Sequence, residues 1–354
     1  MDYPSEKKRQ NKKPLLGSMK LLLGSAIIML GASGCESVFD KDQNCDPAYY
    51  LQFVYDMNMD YADAFQAKVS SVEVMAFDSE SGDLKGRFME SGQTLKQDGY
   101  RMKLDLEPGQ YDFVVWCGLE ENEGQFSVSD NITKKEQAKC TMSRNRNSHG
   151  KATQNSQLHS LFHGYLSAGL DEKPGEHVFP VSLIKDTNNI NFSLQDVSGK
   201  ELDPNRFTIT MNINNGSIDY NNSLLDDEDI EYSPYYQASG SASVDTKAEE
   251  NRHDIVVAEI STSRLVEDHN PTLDITDNLT GNIVYSVPLV KWALMLKSEQ
   301  YSSMGDQEYL DREDEYNVVL YVKENDVVDD SNYLAASIII NGWRIVLNGG
   351  TELH

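Results

Sequence analysis

Tyr100-Arg-Met-Lys-Leu-Asp-Leu-Glu-Pro-Gly-Gln-Tyr-Asp-Phe-Val-Val-Trp-Cys117 decides the reading of the fold. Its first seven residues alternate apolar and polar with period two, the mark of a strand with one buried face. Glu107-Pro-Gly-Gln110 is a turn, and Tyr111 to Cys117 is aromatic and β-branched, as strands favour. The same pattern extends in both directions. Upstream lie Tyr49 to Tyr55, then Val69 to Phe77, which a turn at Asp78-Ser-Glu-Ser-Gly-Asp83 joins to Leu84 to Met89 as a hairpin. Downstream come Val178 to Ile184, Asn189 to Leu194, Arg206 to Ile213, Ile255 to Ser261, Leu273 to Thr276, Ile283 to Val287, Tyr316 to Val322 and Ala335 to Leu347. Pro288 to Leu296 reads as the one notable helix. Many short strands between turns point to all-β sandwiches. A chain of 354 residues has room for two, joined near Lys185-Asp-Thr187. Their first strands, at Tyr49 and Asn189, are similarly placed, which suggests a duplication. Glu120 to Thr153 reads as a surface insertion ending in a basic patch (Arg144, Arg146, His149, Lys151), and Leu225 to Lys247 as an acidic loop.

Ahead of this body stands an export signal. Lys7, Lys8, Arg9, Lys12, Lys13 and Lys20 precede the apolar run Leu21 to Leu30, and small residues lead to Cys35. The run is too short for a membrane-spanning helix, which needs about 20 residues. Ala32-Ser33-Gly34-Cys35 resembles a bacterial lipobox, in which the cysteine is lipidated and becomes the new N-terminus; Ala32 stands where a larger aliphatic residue is commoner. The expected organisation is a lipoprotein signal peptide over 1–34, a lipidated tether over 35–46, an N-terminal β-sandwich over 47–187 and a C-terminal one over 188–354.

The formal charge is −26, and beyond residue 34 there remain 25 basic against 55 acidic side chains. Nucleic acid is excluded as a partner, because binding it takes basic patches that displace counterions. Besides Cys35, the chain has Cys45, Cys117 and Cys140, and three cysteines cannot all pair within one chain. An exported chain permits disulfides, and Cys117–Cys140 is one possible bond; equally, Cys117 beside Trp116 reads as a small buried residue. His159 and His163 have helical spacing, but no third ligand and no HExxH accompany them, so packing is the expected role. The acidic runs Asp226 to Asp229, Asp311 to Glu315 and Asp326 to Asp330 fit no calcium loop and read as solvated. Neither a phosphate loop nor a nucleophile elbow is present.

Cys45-Asp-Pro-Ala-Tyr-Tyr-Leu-Gln-Phe-Val-Tyr-Asp-Met-Asn-Met59 and Ala62-Asp-Ala-Phe65 resemble the fimbrial anchor family of Bacteroidetes, the FimB/Mfa2-type lipoproteins of the fimbrillin superfamily. So do Val72 to Asp78, Pro108-Gly-Gln-Tyr111, Thr187 to Ile190, Gln307 to Tyr316 and Ile340 to Ile345. The resemblance spans residues 45–348. It implies two tandem transthyretin-like β-sandwich domains, an outer-membrane location through palmitate-type lipid on Cys35, and docking to fimbrial shaft subunits (fimbrillins) by a strand or sheet edge. It implies neither catalysis nor a cofactor. In the superfamily, shaft subunits lose their first strand to an Arg- or Lys-specific protease. Here no Lys or Arg lies between Lys41 and Lys68, so the first strand offers no basic cleavage site. The expected function is to attach a fimbrium to the cell, end its assembly and so limit its length. The alternative is a surface glycan-binding lipoprotein using loop aromatics Tyr232, Tyr235 and Tyr236; a hydrolase built on an unrecognised carboxylate pair ranks below both.

Overall fold

The computed structural model describes residues 46–120, 124–243, 252–295, 297, 301–324, 333–340 and 343–346. The protein is all-β, built as two tandem sandwiches. The N-terminal half opens with β1 (Pro47–Val54), then the short helix α1 (Phe65–Lys68) and the hairpin of β2 (Ser71–Asp78) and β3 (Leu84–Ser91). A crossing through a 3-10 turn (Gly92–Lys96) leads to β4 (Met102–Leu104) and β5 (Gly109–Cys117). Four short strands follow: β6 (Phe126–Val128), β7 (Cys140–Met142), β8 (Asn145–Arg146) and β9 (Ala152–Gln154). The half closes with β10 (Phe162–Leu170) and β11 (Gly175–Lys185).

Seven of these form one folded sheet in the order β3-β2-β5-β10-β11-β1-β4. β11 serves both layers. Its residues 175–182 pair parallel with β1, and residues 183–185 pair antiparallel with β10. A strand that changes layers is how a sandwich makes a corner. Gly164 permits the turn-over: a Cβ there would come within 2.8 Å of Val181 and 2.9 Å of Leu183.

Alternation along the strands assigns their faces. Leu51, Phe53, Val72, Val74, Phe113, Val115 and Leu183 fill the core between the layers. Met75, Phe77, Val114 and Trp116 point the other way and are equally buried. β2 and β5 are therefore covered on both faces, which explains their near-continuous apolar sequence.

The second cover is the segment expected to be a surface insertion. Phe126, Ile132, Ala138, Cys140, Met142 and Ala152 are all buried against that outer face. Short strands amid polar residues hide such a role from periodicity.

The C-terminal half contains β12 (Thr187–Asp196), β13 (Phe207–Ile213), β14 (Ser217–Ile218), β15 (Ile230–Tyr232), β16 (Tyr236–Ser243) and β17 (Arg252–Ser263). β18 (Thr272–Asp277), β19 (Asn282–Pro288), α2 (Leu289–Met295), α3 (Asp306–Arg312), β20 (Glu315–Glu324), β21 (Tyr333–Ile340) and β22 (Trp343–Val346) complete it. One sheet runs β16-β17-β12-β20-β21-β22 and the other β19-β18-β13-β15-β9-β8, with β14-β7-β6 as a small third. β6 to β9 thus come from the first half in sequence and pair within the second. Leu225 to Lys247 is also not a loop throughout, since it contributes β15 and β16; residues 244–251 lie outside the described residues. The expected helix is α2, and α3 is a further one that periodicity did not reveal.

The two halves share a topological feature. β1 pairs parallel with β11 and antiparallel with β4; β12 pairs parallel with β20 and antiparallel with β17. Each half thus starts with an interior strand that has one parallel neighbour. No helix among the described residues is long and apolar enough to cross a membrane.

Candidate functional site: the first strand and its clasp

β1 carries Tyr49, Leu51 and Phe53 inward, each 3% exposed or less, with Tyr50 and Gln52 outward. Eight residue pairs join it to β11 and three to β4. Its aromatics lock it further. Phe53 stacks on Phe65 at 5.5 Å, Tyr55 meets Phe162 edge-on at 4.9 Å, and the Tyr49 hydroxyl donates to the Asp171 carbonyl at 2.6 Å. Such pairs add about 0.5–1.5 kcal/mol each beyond area burial.

The connection after β1 is held by its own polar side chains. Asp63 Oδ1 accepts from the amides of Tyr55 and Phe65, both at 2.9 Å. Asn58 Nδ2 donates to the carbonyls of Tyr55 and Ala62. The C-terminal half then grips this connection through Arg312 at the end of α3. Its Nη1 donates to the carbonyls of Asp56 (2.9 Å) and Asn58 (3.3 Å), and its guanidinium lies 4.5 Å from the Tyr61 ring centroid.

Arg312 belongs to the run Asp311-Arg-Glu-Asp-Glu315, whose composition is that of a solvated loop. The structure makes it a clasp between the halves. Asp311 pairs with Arg264 at 2.8 Å, and Arg264 pairs with Asp186 at 2.9 Å. Asn222 donates to the same Asp186 oxygen at 3.1 Å. Asp186 is wholly buried between β11 and β12, and Arg264, just beyond β17, is 7% exposed. Asp314 pairs with Lys185, and its carbonyl accepts from Asn189 N. Buried charges persist only when paired and hydrogen-bonded, so this chain of contacts fixes where β11, β12, β17 and α3 meet.

Burial pushes Glu313 up to about 7, with Asp314 and Glu315 adding to the rise and the Glu315 amide opposing it. Burial also pushes Asp186 up to about 6 against the pull of Arg264. Both carboxyls hold protons more tightly folded than unfolded. Their contribution to stability is full below their ordinary values and is lost as pH rises through about 6 to 7. Glu313→Gln should therefore raise the melting temperature near pH 8 by about 2–4 °C and leave it unchanged near pH 3.5, below the ordinary carboxyl value. Thermal melts across that range check the prediction.

The remaining sequence candidates lie elsewhere. Cys35 and Cys45 are outside the described residues. Cys117 and Cys140 are buried in different cores on opposite faces of the sheet, and no disulfide joins them, which corrects the Cys117–Cys140 pairing. Burial raises the Cys140 thiol's pKa far above its ordinary value. His163 lies in β10, buried edge-on against Trp116 at 4.6 Å, while His159 precedes the strand and is exposed; helical spacing does not apply. Burial lowers His163 to about 3, so it is neutral. Tyr232 is fully buried and donates to Asn215, Tyr235 donates to Glu259, and only Tyr236 is exposed. The basic patch pairs with the first acidic run, Arg144 with Asp227 and Glu228 and Arg146 with Glu228, and Lys151 pairs with Glu231 on β15. Asp186 and Arg264 drew no notice in sequence. The available signal was a charge directly after the last residue of a strand, Lys185 of β11 and Ser263 of β17.

A family model described as fimbrillin-A associated anchor proteins Mfa1 and Mfa2 matches residues 41–349. The minor fimbrium anchoring subunit Mfa2 of Porphyromonas gingivalis is 20% identical over 346 residues, 95% of this chain and 98% of that protein. The solved structure of that anchor is similar with a TM-score of 0.62 at 19% identity, over 85% of this chain and 99% of that one. A candidate adhesin of Bacteroides thetaiotaomicron is 30% identical with a TM-score of 0.72, over 85% of this chain and 97% of that one. A candidate polysaccharide-binding protein of the same species is 26% identical with a TM-score of 0.70, over 85% and 98%.

Proposed function

Because the chain belongs to the fimbrillin-A associated anchor family, a family of structural fimbrial subunits at the cell surface, we propose that it is a lipid-anchored outer-membrane subunit. It attaches a fimbrium to the cell and terminates its assembly. The lipid on Cys35 is the membrane attachment. Shaft subunits dock to the folded body by strand addition or along a sheet edge, where backbone bonds give affinity and alternate side chains give specificity. The protein catalyses nothing and needs no cofactor. Its sandwiches divide at 187/188, with the 126–154 segment of the first lent to the second.

The observation that carries this reading is a first strand built into the interior of its sheet and lacking a basic cleavage site. β1 sits between β11 and β4, and no basic residue lies between Lys41 and Lys68 for an Arg- or Lys-specific protease to use. A strand that stays keeps the lipid covalently joined to the body. It also leaves no groove at that position for a neighbour's strand, so growth stops at this subunit. Deleting the gene should give fimbriae that are shed into the medium and abnormally long by electron microscopy. Fimbriae of unchanged length and attachment would overturn the proposal. The glycan-binding alternative through Tyr232, Tyr235 and Tyr236 loses its basis, since Tyr232 is buried and Tyr235 is engaged with Glu259.

A further inference from the structure

β3 and β4 are the two ends of the folded seven-stranded sheet, and the 92–101 crossing carries the chain from one to the other. Between them lies a cleft of about 730 Å³, within the range of ligand sites. Three half-buried aromatics line it: Tyr50 from the outward face of β1, Phe88 from β3, and Tyr100. Met102, buried on β4, also lines it. Around this apolar surface stand Glu90, Asp98, Arg101, Lys103 and Glu176, with the amide of Gln97 and the hydroxyl of Thr94.

The cleft is built in advance of any ligand. Leu95 is wholly buried under the crossing, and Lys96 Nζ donates to the Val69 carbonyl at 2.8 Å. Gln66 Nε2 donates to the Gln97 carbonyl at 2.8 Å, and Tyr100 N to the same carbonyl at 3.1 Å. Gly92 and Gly99 close the two ends of the crossing with φ of 74° and 67°, a backbone that side chains resist. Such preorganisation lowers the ordering cost of binding.

The charges choose the ligand class. Three carboxylates and two cations are interspersed, and Arg101 Nη1 lies 3.4 Å from Glu176 Oε2. An anion meets the carboxylates and a cation meets Arg101 and Lys103, so neither is selected. What fits is an uncharged molecule with an apolar face for the rings and many hydroxyls for the carboxylates and amide. An extended peptide fits less well, because β4 offers only three residues of edge. We propose that this cleft is a binding site for a neutral glycan, held by stacking on Tyr50 and Tyr100 and by hydroxyl hydrogen bonds to Asp98 and Glu90. Burial and neighbouring Glu90 push the Tyr100 hydroxyl up to about 12, so it remains a hydrogen-bond donor. The assignment does not rest on the anchor reading.

The test is calorimetric titration of the full-length protein in detergent. The probes are soluble maltohexaose, a mannan fragment and a galactan fragment in one arm, and core oligosaccharide released from lipopolysaccharide in the other; the arms separate a free polysaccharide from a membrane glycan as the source. At least one probe should bind, about tenfold more weakly to Tyr50→Ala and to Asp98→Asn. Binding should also be unchanged from about 0.05 to about 0.5 M salt, as a neutral ligand requires. Tyr50 points out of β1, so both variants should melt like the parent, and Asp98→Asn preserves shape if Tyr50→Ala does not fold. Failure of every probe to bind, or binding that neither variant weakens, would overturn the site. Loss of shaft-subunit binding in both variants without any bound sugar would assign the cleft to a peptide instead.

Discussion

Arg264→Ala is expected to lower the unfolding free energy by about 3–5 kcal/mol, the cost of removing one partner from a buried ion pair. Arg264 is the cation between Asp186, which is wholly buried, and Asp311. Without it, both carboxyls face each other in low dielectric and must take up protons to remain inside. The loss is a large fraction of the about 5–15 kcal/mol available to a typical domain. Urea unfolding followed by tryptophan fluorescence measures it, with Trp116 and Trp292 in the core reporting. Replacing all three charges together by apolar residues, as Asp186→Leu, Arg264→Met and Asp311→Leu, should recover most of the stability, because an apolar substitute for a buried ion pair is often neutral. A loss below about 1 kcal/mol for the single variant, as at an exposed pair, would show that the clasp does not hold the halves together.

The second large effect concerns attachment. Cys35→Ala should move the protein from the membrane fraction to the soluble one almost completely. A lipidated terminus gains about 0.8 kcal/mol per buried CH₂, and more than one acyl chain makes anchoring stable. Nothing else among the described residues supplies a membrane-spanning helix. Fractionation with an alkaline wash reads the outcome, and fimbriae in the same strain should appear in the medium. The urea midpoint should not change, because residue 35 precedes β1 in the chain. A variant that stays in the washed membrane would show that another feature tethers it.

These two predictions divide along what the sequence could reveal. The second comes from the sequence alone, as an expectation; among the described elements, β1, the β2–β3 hairpin and β5 were legible, because strand composition and turn residues are local patterns. The clasp was not. Asp186 and Arg264 are 78 residues apart, and only the pairing of β12 with β17 brings them together. Asp311-Arg-Glu-Asp-Glu315 has the composition of a solvated loop, and burial came from tertiary contacts instead. The 126–154 segment misled for a similar reason. β9 pairs in parallel with β15, more than 70 residues later, so its three residues carry no recognisable pattern by themselves. Arg144 and Asp227 were each visible as part of a charged run, but their attraction to each other depended on the same long-range pairing.

The parallel pairing of β1 with β11 has a mechanical consequence. The chain enters β1 at Pro47, beside Gly175, and leaves for the second half at Lys185, beyond the opposite end of the pair. In the proposed anchor, with a lipid ahead of Pro47 and a filament docked on the second half, tension would run lengthwise along the two strands. It shears every hydrogen bond in the ladder at once instead of peeling them one by one. Rupture under load follows the unfolding rate, not the equilibrium stability. This geometry favours slow detachment in flow, even for a body of ordinary thermodynamic stability.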